Sequence, residues 1–116
     1  SGEYPLVAEA PHPEGETETF LAGLALGKPE GLPAPDSLGR AIAAAFGSAT
    51  LTPETLQLAG EGRTGELILL AIDRITRGVE TDLSGVTEGI LILRRLGLED
   101  SARRTALQLM LLERRG

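Results

Sequence analysis

Apolar residues recur at helical spacing through three consecutive runs between Thr64 and Glu113, separated by two short breaks. Across 65–77, Leu67, Ala71 and Ile75 fall at i, i+4 and i+8, while Ile68, Ile72 and Val79 trace a neighbouring stripe. Leu69 and Leu70 widen that face, so this run is expected to be the central helix, covered on several sides. Thr64 is its expected N-cap, Glu66 complements the positive end of the helix dipole, and Arg74, Arg77 and Gly78 supply cations and a stop. The second run starts after Thr81 and Asp82, either of which can cap it, and carries Leu83, Val86, Ile90 and Leu93 to Leu96. Its string Ile90–Leu93 would pass alone for a short buried strand, but the surrounding periodicity favours helix, closed by Arg94, Arg95 and Gly97. The third run opens on Glu99, Asp100 and Ser101. It sets Ala102, Ala106, Leu109 and Leu112 on one stripe with Leu107, Met110 and Leu111 beside it, and closes on Arg114 and Arg115.

The first half is more broken. Residues 1–16, rich in Pro, Glu and Gly, read as an acidic tail in which only Tyr4, Leu6 and Val7 are sizeable apolar side chains able to dock on the body or a partner. A helix is expected over 17–26 with Phe20, Leu21, Leu24 and Ala25 inward and Gly27 as its stop. Pro29, Pro33 and Pro35 then forbid regular helix. Asp36 or Ser37 caps a second helix to Phe46, with Leu38, Ile42, Ala45 and Phe46 facing the core and the run Ala41–Ala45 allowing close helix approach. Thr52-Pro53-Glu54-Thr55 is a start signal for a short helix to Ala59 with Leu56 and Leu58. The prediction is an all-α, compact bundle of five to six helices, residues 17–116 forming a single domain behind the tail.

Composition sharpens this picture by exclusion. Aromatic residues are only 3% of the 116, so the core must be Leu, Ile, Val and Ala, which suits close-packed helices. There is no cysteine, which removes disulfides, thiolate metal sites and cysteine nucleophiles. No apolar run approaches the ~20 residues needed to cross a bilayer, so no transmembrane segment is expected. The net charge of -6 is uneven. Residues 1–62 hold nine acids against Lys28 and Arg40, giving -7, whereas 63–116 hold nine arginines and eight acids, giving +1. Without a net positive footprint, nucleic acid is not an expected partner.

Candidate chemistry is sparse. The one histidine, His12, lies between Pro11 and Pro13 in the tail, where a lone exposed histidine is expected to be inert. Carboxylate neighbours such as Glu99 and Asp100 have the simpler role of complementing a helix N-terminus. Gly60-Glu61-Gly62-Arg63-Thr64-Gly65 lacks the lysine and the preceding strand of a phosphate loop. No catalytic residue, metal site or cofactor is therefore expected. The arginine pairs remain: Arg94 with Arg95 and Arg103 with Arg104 flank one tight turn, where Arg95 and Arg103 are expected to meet as a recognition point for a carboxylate or other anion.

The phrase Leu93-Arg94-Arg95-Leu96-Gly97-Leu98-Glu99-Asp100-Ser101-Ala102-Arg103-Arg104 resembles the turn and second-helix opening of tetratricopeptide-like repeats. The resemblance covers the C-terminal 55 residues or so, without the family's aromatic and proline positions or a second copy at a ~34-residue period. It implies a helical-hairpin scaffold that binds a protein or peptide. The expected function is thus a noncatalytic protein-protein interaction or scaffold domain, as a homo-oligomer or as the end of a longer helical array. The alternative is a regulatory domain holding an anionic small molecule or polymer at the arginine cluster. The Ala, Gly, Leu and Arg usage resembles that of high-GC bacteria, which makes a bacterial cytoplasm or periplasm the expected setting.

Overall fold

The computed structural model describes residues 13–115, and these form six helices with no strand among them. They are α1 (Pro13–Ala25), α2 (Ser37–Ala45), α3 (Pro53–Gly60), α4 (Thr64–Gly78), α5 (Ser84–Arg95) and α6 (Glu99–Arg115). The all-α bundle expected from the periodicity is what forms.

Most boundaries follow from local chemistry. The Asp36 carboxylate accepts the Gly39 N–H at 2.7 Å, and the Thr52 hydroxyl accepts the Thr55 N–H at 3.2 Å with Pro53 at the first helical position. Asp82 accepts the Ser84 N–H at 3.0 Å and so closes the start of α5. At the other ends, Gly27 and Gly97 adopt φ of 76° and 81°, a conformation costly for any residue with a Cβ. That turn lets the next N–H reach back five residues, Lys28 to the Gly23 carbonyl at 2.8 Å and Leu98 to the Leu93 carbonyl at 2.9 Å.

Two starts differ from expectation. Helix α1 begins at Pro13 and not at Thr17, because a proline in the first turn lacks only an N–H that has no intrahelical partner anyway. A composition that reads as tail is thus compatible with a helix start. Thr64 does not cap α4: it is already helical, Arg63 occupies the cap position without a side-chain cap bond, and its guanidinium instead ties Glu61 at 3.1 Å to Glu66 at 2.8 Å.

The central helix is α5, not α4. Helix α5 packs against α2, α4 and α6, and its Val86, Gly89, Ile90, Leu91, Ile92 and Leu93 are all buried. Helix α4 packs mainly on α5 and α3, and it buries one line, Leu67, Ala71, Ile75 and Gly78. The α4–α5 contact is made by backbone. A Cβ on Gly85 would lie 2.7 Å from the Arg74 carbonyl oxygen, and one on Gly89 would lie 2.7 Å from that of Ala71. Glycine there brings the helix axes close, while branched side chains on the remaining faces of α5 fill the space towards α2 and α6. The second stripe expected in the core is largely outside it, with Ile72 54% and Leu69 68% exposed. On α6 the buried line is Ala102, Ala106 and Met110, and Leu111 and Leu112 are exposed.

Candidate functional site

The turn between α5 and α6 gathers charge around Glu99. Arg94 donates from Nε to Glu99 Oε1 at 2.8 Å and from a terminal nitrogen to the Ala45 carbonyl at 3.0 Å, with its guanidinium 4.6 Å from the centre of the Phe46 ring. Arg103, one helical turn after Glu99, donates from Nε to Glu99 Oε2 at 3.0 Å, and its guanidinium lies over Gly27. Burial raises the Glu99 carboxyl, but the hydrogen bonds and positive charges of Arg94 and Arg103 outweigh it and hold the group below the usual carboxylate range.

The expected meeting of Arg95 with Arg103 is replaced by Arg94 with Arg103. Successive helical residues point about 100° apart, so only one member of the pair at 94 and 95 can face α2 and the turn. Arg95 and Arg104 are exposed and make no ion pair, so they are the two cations of the predicted four that stay open to an external anion. Arg94 and Arg103 instead fasten α2, α5 and α6 together. Tyr4, Leu6 and Val7, the expected apolar anchor, and His12 lie outside the described residues.

A second polar group joins α3, α4 and α5. Glu88, only 13% exposed at its side chain, accepts the Thr55 hydroxyl at 2.9 Å and the Thr52 hydroxyl at 3.3 Å, while Arg74 Nε sits 3.6 Å from its other oxygen. The neighbouring Thr87 hydroxyl donates to the Ala41 carbonyl at 2.6 Å. Thr52, Thr87 and Glu88 line a cleft of about 300 Å³, and the bonds just described occupy both threonine hydroxyls and one Glu88 oxygen, whereas Arg74 Nε, buried beside the other oxygen, makes no hydrogen bond. Its chemistry is that of a helix clasp. Among the described residues no group of three or more His, Cys, Asp or Glu is placed to hold a metal ion, and no helix is long and apolar enough to cross a membrane.

The third feature is the outer face of α4. Gly65, Leu69, Ile72 and Thr76 are exposed along it with Ile68 half-buried at its edge, on the side away from the buried line Leu67, Ala71, Ile75 and Gly78. Leu56 of the adjoining α3 is also exposed. Scattered surface leucines are ordinary, but large side chains on one stripe of one helix mark a face suited to docking. Sequence periodicity finds these residues and assigns them to the core. The discriminating signal is Glu66, Asp73 and Arg77 on the same outer surface, which cannot be buried with them. Among the described residues the features together define a small all-α bundle with exposed apolar side chains on α4 and, at Leu111 and Leu112, on α6. No family model, curated protein or solved structure matches the chain.

Proposed function

We propose that this domain is a noncatalytic protein-protein interaction or scaffold module, and that its docking surface is the outer face of α4. The observation that carries the reading is the exposure of Leu69 and Ile72, one turn apart on a helix whose opposite line forms the core. Leu69 and Ile72 are 68% and 54% exposed, so covering what remains in water contributes roughly 1–2 kcal/mol each towards docking of a partner helix or the next unit of a helical array. Photo-crosslinking from position 72 in cells that express the protein tests it. A protein adduct that disappears on Leu69→Asp supports the reading, and the absence of any adduct, or one that ignores the substitution, removes it.

The second reading, a regulatory domain that takes an anionic small molecule or polymer, draws on the unpaired Arg95 and Arg104. A rise in melting temperature with inorganic polyphosphate, lost in the Arg95→Glu/Arg104→Glu variant, would favour it over the first.

A further inference from the structure

We infer that the partner at the outer face of α4 is an amphipathic α-helix with lysine or arginine along one edge, an inference that rests on the docking function proposed above. Gly65, Leu69, Ile72 and Thr76 are spaced four, three and four, the register of a coiled-coil seam, and all are exposed. Eleven residues of rise make that seam about 16 Å long, which suits a partner of about three helical turns.

The two edges of the seam differ. One carries Glu66 and Asp73, seven residues apart and both exposed, with the exposed Glu80 in the turn that follows α4. The other carries Ile68, half-buried, and Ile75, buried, and so runs into the core. On α4 and its flanks a helix lying on the seam therefore meets charge along one edge, where Glu66, Asp73 and Glu80 outnumber Arg63 and Arg77 by one. Arg63 pairs with Glu66 and Arg77 with Asp73, but these are exposed pairs of low individual worth that an incoming cation can exchange, and Glu80 makes no ion pair. The same acids count against other occupants. An antiparallel two-fold pair of α4 helices would set acid against acid, and an anionic bilayer would be repelled.

The test uses the full chain and two labelled peptides of about three heptads with the same leucine seam, one carrying Lys and the other Glu at the flanking positions. Fluorescence anisotropy should give at least about tenfold tighter binding of the Lys peptide, weakened by salt. That binding should be lost in Ile72→Asp, and the preference should reverse in Glu66→Lys/Asp73→Lys/Glu80→Lys. Leu69 and Ile72 are exposed, so circular dichroism should show the variants folded. Equal binding of the two peptides, no binding of either, or binding retained in Ile72→Asp overturns the inference. So does a dimer of the free chain that Ile72→Asp dissolves, or capture by phosphatidylserine vesicles. A protein adduct from position 72 alongside equal peptide affinities would sink the basic helix and leave the docking function standing; no adduct would sink that function itself.

Discussion

Helices α4 and α5 are similar in apolar content and opposite in situation. Helix α5 is held from several sides by α2, α4 and α6, whereas α4 is held by α5 and the short α3 and leaves its far side to solvent. The difference arises from where the small residues fall. Gly85 and Gly89 lie on the face of α5 towards α4 and let the two backbones touch, so α5 sinks into the bundle and α4 rides on top of it. Apolar content alone therefore says little about depth. Depth depends on which neighbours can come close enough to cover a face, and on α4 the covering is incomplete.

The largest test of this contrast is Ile90→Ala. Ile90 is fully buried in α5, so truncation should cost about 2–5 kcal/mol through lost transfer energy and an unfilled cavity. Chemical denaturation should show a much lower midpoint at unchanged slope. A loss below about 1 kcal/mol would mean that α5 is not the centre of the bundle.

Next comes Gly89→Ala. In an isolated helix the change would stabilise by about 1 kcal/mol, since alanine is the better helix former. Here the new methyl would meet the Ala71 carbonyl oxygen at 2.7 Å, and the backbone oxygen cannot rotate away. Overpacking of this kind costs about 1–3 kcal/mol, so the net effect should be destabilising. A stabilised variant would show that α4 is free to move off α5.

These two residues also show what could be read from the chain without coordinates. The helices themselves were legible, because caps such as Asp36 and Thr52 and stops such as Gly27 and Gly97 act within a few residues of their own position. Ile90 was legible as core through its spacing from Val86 and Leu93. Gly89 was not, since a periodicity count passes over residues without side chains, and its role exists only once α4 lies against it. The arginine site was half legible. The turn that gathers Arg94, Glu99 and Arg103 lies in one stretch, but which of Arg94 and Arg95 faces inward depends on α2, some 50 residues earlier, supplying the Ala45 carbonyl and the Phe46 ring. Leu69 and Ile72 were misplaced in the core because spacing identifies a stripe and cannot say whether anything covers it.

Smaller effects are expected at the charged turn. The folded-state pKa of Glu99 lies below its ordinary value, so its ionised form contributes stability above about pH 4.5, and that contribution is lost as pH falls through the lowered pKa. Glu99→Gln should therefore be less stable than wild type at neutral pH, and its stability should fall less steeply below about pH 4.5. The side chain is about a third exposed, so the difference should stay under about 1 kcal/mol and shrink in high salt. Parallel curves for the two proteins across pH 3–5 would show that the arginines do not act through this carboxylate.

The smallest effect should come from Ile72→Ala, and it separates the two helices most cleanly. At a buried site the substitution would cost as much as Ile90→Ala. At 54% exposure most of the side chain is already in water, so little transfer energy is lost and no cavity forms. Alanine also has the higher helix propensity, by a few tenths of a kcal/mol, which offsets the remainder. The denaturation midpoint should thus move by less than the equivalent of about 0.5 kcal/mol in the isolated protein, in either direction. A cost of 2 kcal/mol or more would mean that the outer face of α4 is covered in solution by another copy of the chain, and the cost should then rise with protein concentration, because stability coupled to association follows mass action.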